Sequence, residues 1–238
     1  MIVFFVVDRP ASLKILEPLT KEYLMGFMSH PNTSKNFQEM FSKFNVIKMC
    51  DCGAWTKEGA PKDYECLFST YERMKVDYGL IIDYLWDYQK TLESAQKAME
   101  VYNSGSYKFK LVGVAQGRNK REYLECLNKL IKLDFEHIAV GGLLKKVPNT
   151  ARYVRVRNEQ FMWDILSAIR REYDGWLFAL GCYHPKRHRR FEELSLFGSD
   201  YKGWIFRYKN TENRFEEVRE WIRRNIYGQI STNLSLFR

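Results

Sequence analysis

Short apolar runs alternate along this chain with segments of helical period. The runs are rich in β-branched and aromatic residues and fall at residues 2–7, 24–28, 46–49, 78–82, 109–115, 137–140, 176–180 and 204–206. Each has the length of a buried strand and is bounded by polar residues, Gly or Pro. Between them, Asn32 or Ser34 caps a helix that runs to about Phe44, and residues 63–75 form another. A long helix begins at Thr91, with alanines and Met99 at helical spacing. Asn119 precedes a helix over 121–133, where Leu124, Leu127 and Ile131 share one face. Residues 158–173 and 212–226 complete the set. Strand and helix in alternation predict a parallel sheet covered by helices. Eight runs predict one α/β domain over residues 1–238, a single compact (β/α)8 TIM barrel. A doubly wound open sheet would leave two runs without a place.

Composition narrows the class. Hydrophobic residues make up 45% and aromatics 16% of the 238 residues, enough to order a core and to exclude disorder or a disulfide-stapled mini-protein. No run approaches the ~20 apolar residues that span a bilayer, so no membrane partner is expected. The apolar opening meets Asp8, Arg9 and Pro10 at once and reads as a first strand rather than a signal peptide. Five scattered cysteines suit a reducing cytoplasm. The formal charge is +9, and residues 139–238 carry 19 Lys+Arg against 11 Asp+Glu, so +8 of it lies there. Such a surface fits a polyanion, or is simply solvated.

A barrel gathers its chemistry at the C-terminal ends of its strands. The third run ends Met49-Cys50-Asp51-Cys52-Gly53-Ala54-Trp55, which places a carboxylate at the mouth and an aromatic beside it. Asp51 either faces a ligand or caps the next turn, and Trp55 either stacks on a base or packs in a lid. The fourth run ends in Asp83, the fifth in Ala115-Gln116-Gly117, the sixth in Val140-Gly141-Gly142-Leu143. Two carboxylates, a primary amide and a Gly-Gly backbone suit the edge of a guanine-like base. Asp83 would accept from its N–H groups, and Gln116 and the Gly142 N–H would donate to its carbonyl.

In this order the segments resemble the tRNA-guanine transglycosylase superfamily, and most of all its compact members that insert 7-deazaguanines into DNA. Asp51-Cys52-Gly53-Ala54-Trp55 is similar to the family's Asp-Ser-Gly-Gly/Ala-aromatic motif, and Val112-Gly113-Val114-Ala115-Gln116-Gly117 to its Gly-Ile-Val-Gln-Gly. Asp83 with the Ala-rich helix after it, Ala139-Val140-Gly141-Gly142-Leu143 and Phe178-Ala179-Leu180-Gly181 follow at family spacing, over about two thirds of the chain. The resemblance implies base exchange: guanine in DNA is replaced by a preQ0-like 7-deazaguanine through a covalent aspartyl-glycosyl intermediate. It implies that Asp83, Gln116, Gly141, Gly142 and Leu143 bind the base, that Trp55 and Leu180 sandwich it, and that Asp51 shuttles protons. The nucleophile falls on Asp200, in an Asp-x-x-x-Trp pattern with Trp204, although Gly203 stands where the tRNA enzymes carry their attacking acid. An outer role for Asp200 stays open.

The tRNA enzymes' zinc ligands have no counterpart after Asp200, so no metal and no cofactor are expected. Cys182, His184 and His188 sit among Lys186, Arg187, Arg189 and Arg190, cations that would repel a metal and attract phosphate. With Lys145, Lys146, Arg152, Arg155 and Arg157 they form the expected nucleic-acid surface, with DNA favoured and tRNA possible. Nothing in the sequence sets an oligomeric state. The alternatives are a tRNA-guanine transglycosylase, a hydrolase or lyase acting on a free deazapurine base or its nucleoside, and an inactive nucleic-acid-binding barrel.

Overall fold

The computed structural model describes residues 1–54, 56, 58–61, 63–146, 153–156, 158–207 and 215–228. Ten strands follow in chain order: β1 (Ile2–Val6), β2 (Gly26–Ser29), β3 (Ile47–Cys50), β4 (Tyr78–Leu80), β5 (Lys110–Ala115), β6 (His137–Val140), β7 (Leu144–Lys146), β8 (Tyr153–Val156), β9 (Trp176–Ala179) and β10 (Gly198–Tyr201). Eight of them pair in parallel and close into a barrel in the order β1-β10-β9-β6-β5-β4-β3-β2. The other two, β7 and β8, form an antiparallel hairpin that leaves the mouth after β6. The chain is a (β/α)8 TIM barrel, as the alternation of runs predicts.

Eight helices ring it: α1 (Pro10–Leu16), α2 (Lys35–Ser42), α3 (Tyr64–Met74), α4 (Tyr88–Ser104), α5 (Lys120–Lys132), α6 (Glu159–Glu172), α7 (His188–Glu193) and α8 (Phe215–Ile222). Their starts follow capping chemistry. Ser34, Asp63, Asp87, Asn119 and Asn158 each accept a backbone N–H of the first turn. Asp87 moves the start of α4 one turn ahead of Thr91, whose hydroxyl instead donates to the Asp87 carbonyl.

The eighth strand differs from expectation. Trp204 lies in a 3-10 turn (Gly203–Arg207), and the closing strand is the polar Gly198-Ser199-Asp200-Tyr201. It carries no apolar run because its neighbours supply the hydrophobic surface. Ile2 and Phe4 of β1 stand opposite Gly198 and Asp200, and a Cβ at Gly198 would lie 3.0 Å from both the Phe178 and Phe4 rings. Trp204 then locks the seam from outside, its indole N–H donating to the Val6 carbonyl at 3.1 Å.

Period-two alternation fixes what faces the barrel axis. Phe4 meets Phe178 edge-on inside, and Trp176 stacks parallel to Phe178 two residues on. Cys50 points outward to Met74 of α3, so Met49 and Asp51 point inward. The same count brings His30, Gln116, Gly141, Leu180 and Asp200 to the inner face at the C-terminal rim.

Candidate active site

Three carboxylates converge at this rim. Asp51 follows β3 with its N–H on the Ser29 carbonyl at 2.9 Å, and its Oδ1 accepts the Gly53 N–H at 2.6 Å. Gly53 adopts φ +80°, the left-handed turn that lets the chain fold back over the carboxylate. Asp200 is 8% exposed and its Oδ1 accepts the N–H of Gly181, another left-handed glycine. Burial pushes the acidity of both up to about 6. At Asp51 the charges of Asp200 and Asp83 add to the rise, while His30 and the Gly53 N–H oppose it. At Asp200 the Gly181 N–H and Lys202 oppose it. Two acids of this kind exchange protons near neutrality, the property required of an acid–base or nucleophile pair.

Asp83 belongs to a buried polar pair. The Gln116 amide Nε2 donates to its Oδ2 at 2.5 Å, and the Cys52 thiol approaches Oδ1 at 3.3 Å. Burial raises the Asp83 pKa against the pull of those two donors. Gln116 is fully enclosed and packs on the glycine pair. A Cβ at Gly141 would lie 2.5 Å from Nε2, and one at Gly142 would lie 2.4 Å from Oε1. Gly142 is also left-handed, at φ +69°. Both glycines are therefore required for the amide to sit where it does. The Tyr123 hydroxyl holds the Gly141 carbonyl from outside at 2.8 Å, and Leu143 is buried beneath. Leu180 lies half-buried at the rim, its N–H on the Val140 carbonyl.

Asp51, Asp83, Gln116, Gly141, Gly142, Leu143, Leu180 and Asp200 thus come from six strand ends to one mouth. Trp55, Arg152 and Arg157 lie outside the described residues, as do the side chains of Lys145, Lys146 and Arg155. In the basic loop, Arg187 donates to the Cys182 carbonyl at 2.7 Å and pairs with Glu159. Arg189 pairs with Glu193 at 3.1 Å, Arg190 lies 4.3 Å over the Trp163 ring, and Lys186 is exposed. His188 is buried against Glu192 at 3.3 Å, and among the described residues no group of His, Cys, Asp and Glu is arranged to hold a metal.

Two residues of the mouth carried no weight in the sequence. His30 follows β2 beside Asp51, and its Nδ1 is buried with no partner among the described residues. Its signal was available in the alternation Gly26, Met28, His30. Trp86, three residues past Asp83, donates its indole N–H to the Gly142 carbonyl at 2.9 Å and its peptide N–H to Gln116 Oε1 at 3.2 Å. It lies in an irregular turn, and no periodicity marks it.

No protein-family model matches the chain, and no curated protein does. Among solved structures it is similar to the YdjI aldolase from Escherichia coli K12, at 12% identity and TM-score 0.62 over 92% of this chain and 85% of that one. It is similar to a phosphonopyruvate hydrolase solved with oxalate and Mg, at 13% identity and TM-score 0.57 over 94% and 82%. A 3-hexulose-6-phosphate synthase follows at 10% identity and TM-score 0.53 over 92% and 99%. The proteins it resembles are therefore TIM-barrel enzymes, and none of these three is a guanine transglycosylase. That finding corrects the expectation drawn from the motifs, a DNA-modifying transglycosylase that exchanges guanine for a preQ0-like 7-deazaguanine. The physical reason lies in the fold: polar residues gather at the strand ends of a (β/α)8 mouth, and glycine serves wherever a strand turns out tightly. Short Asp-x-Gly and Gly-Gly motifs at strand spacing follow from that architecture, and what they establish is a TIM barrel with a carboxylate-lined mouth.

Proposed function

We propose that this barrel is a hydrolase acting on a free, purine-like nucleoside (a purine or deazapurine base on a pentose), without a polymer substrate. One observation carries the reading: Asp51 and Asp200, both held near an acidity of 6, face one mouth beside the Asp83–Gln116 pair and the Gly142 turn. The last three groups suit a planar edge with a carbonyl next to an N–H, and the first two suit cleavage of the bond that joins such a base to a sugar.

In the proposed reaction Asp200, ionised, attacks C1′ as the C1′–N bond breaks, and Asp51 gives its proton to the departing base. Asp51 then takes a proton from water, whose oxygen attacks C1′ and releases Asp200. Base and free sugar are the products, with retention at C1′. Among the described residues the buried lysine, Lys48, is not placed to form the Schiff base of an aldol route, because its Nζ is held by the carbonyls of Ser42 and Phe44 near the end of α2.

The test is release of base from guanosine and from its 7-deaza analogue, followed by chromatography with and without added DNA. Release that is unchanged by DNA or salt and abolished in Asp200→Asn is expected. No release from either nucleoside, or release from a polymer only, would overturn the reading.

A further inference from the structure

The Gln116 side chain can face its two neighbours in two ways, and only one group in the network decides which. A buried carboxyl such as Asp83 can accept, or donate when protonated. The peptide N–H of Trp86 can only donate. Lying 3.2 Å from Gln116 Oε1, it fixes that atom as the oxygen, so Nε2 must point at Asp83 Oδ2, 2.5 Å away. Any proton on Asp83 then sits on Oδ1, the oxygen toward Cys52.

Trp86 is itself held in an uncommon conformation. Its φ is +60°, which a bulky residue rarely adopts. The indole N–H is tied to the Gly142 carbonyl at 2.9 Å, and the ring edge packs on the Gly142 turn, Cδ1 lying 3.1 Å from where a Cβ would stand. Behind it the Asp87 N–H closes a turn on the Tyr84 carbonyl, and the Thr91 hydroxyl receives the Tyr84 N–H. Strain of this kind persists where the surroundings impose it, and it gathers at functional positions.

We propose that Trp86 is the positioning residue that sets the polarity of the pocket: through Gln116 it makes the site accept a 6-oxo purine edge and refuse a 6-amino one. The inference rests on the purine-nucleoside reading and adds the edge that is selected. Gln116 is fully enclosed, so it acts on a ligand through Asp83: its Nε2 holds Oδ2 as an acceptor, and Asp83 keeps 9% of its surface exposed at the rim. Guanine presents its N1–H to that acceptor. A 6-amino purine presents a bare N1 there, leaving the carboxylate unpaired.

The experiment has two arms. Binding of guanine and of 2,6-diaminopurine is measured on the wild type, Trp86→Phe and Trp86→Gly, the last chosen because glycine accepts the left-handed backbone. The wild type is expected to prefer guanine by at least ~10-fold, Trp86→Gly to fall within ~3-fold, and Trp86→Phe, which keeps the ring but loses the bond to Gly142, to lie between. A preference that survives intact in Trp86→Gly overturns the proposal. In the second arm, hydrogen exchange of the Gln116 side-chain amide is followed by NMR with no ligand present. One strongly protected proton is expected in the wild type, and at least ~10-fold faster exchange in Trp86→Gly. Equal protection in both overturns the proposal. A wild type that binds neither base yet keeps the protected amide sinks the nucleoside reading and leaves the Trp86 lock standing.

Discussion

Asp51 and Asp200 are residues the fold holds at a cost. A carboxyl whose folded pKa lies near 6, above the unfolded value of 3.8, binds protons more tightly when folded. The contribution of these two groups to stability is therefore greatest below about pH 4, falls as pH rises through 4–6, and stays lowered above. Asp51→Asn and Asp200→Asn should each stabilise the protein at pH 7, by about 1–2 kcal/mol, and have little effect at pH 4. Denaturant melts at the two pH values check this, and destabilisation at pH 7 would contradict it. Catalysis should show a bell-shaped profile of kcat/KM centred near pH 6, the two limbs belonging to the pair rather than to either acid. Gly142→Ala is the complementary test. Its Cβ would stand 2.4 Å from Gln116 Oε1 at φ +69°, so about 2–4 kcal/mol of destabilisation and loss of base binding are expected, read by thermal melting and titration. Asp51 and Gly142 were legible in the sequence because each follows an apolar run, whereas Asp200 was reached through the family resemblance, its own strand carrying no such run. His30 and Trp86 were not legible, since the first follows a run with a weak signal and the second lies in a turn whose conformation tertiary contacts decide.

At the scale of elements, the basic stretch from Lys186 to Arg190 also has structural work of its own. Read along the chain, five of six side chains from Lys186 to Phe191 are cationic or imidazole, a surface made for phosphate. In the fold, Arg187 stitches the short helix α7 to α6: one N–H binds the Cys182 carbonyl and the guanidinium pairs with Glu159. Arg190 lies on Trp163, and Arg189 pairs within its own helix. Arg187→Ala should therefore cost about 1–3 kcal/mol, because it strips a carbonyl of its donor and leaves Glu159 unpaired. Arg189→Ala should stay within ~0.5 kcal/mol, as exposed pairs one helical turn apart do. Chemical denaturation of both variants decides, and equal effects would show that the stitch is idle. The strands tell the same story from the other side. Seven of the eight predicted runs mark barrel strands because hydrophobic alternation is intrinsic to them. The closing strand, β10, borrows its apolar environment from Phe4 and Phe178 and so leaves no periodic trace.

The whole molecule depends on joining its two ends, since the barrel closes where β1 meets β10. That seam brings α8 against α1, and arginines rather than apolar contacts alone hold them. Arg219 donates to the carbonyls of Ile15 at 2.9 Å and Lys14 at 2.9 Å, the unsatisfied end of α1, and pairs with Glu216. Arg223 gathers Glu22, Glu216 and Glu220 around one guanidinium. These two contacts should respond differently to salt. The Arg219 bonds reach carbonyl oxygens from a side chain only 17% exposed, so Arg219→Ala should lower Tm by several degrees at low and high salt alike, at ~2–4 °C per kcal/mol for a chain of this size. Arg223 works through exposed carboxylates, so Arg223→Ala should lower Tm at low salt and lose most of that effect at ~1 M salt, where the Debye length is about 3 Å. Thermal melts of the two variants at both ionic strengths are sufficient. If Arg219→Ala lost its effect in salt as well, Arg219 would act through its charge pair with Glu216, and the helix-end carbonyls would have no part in holding α8 against α1.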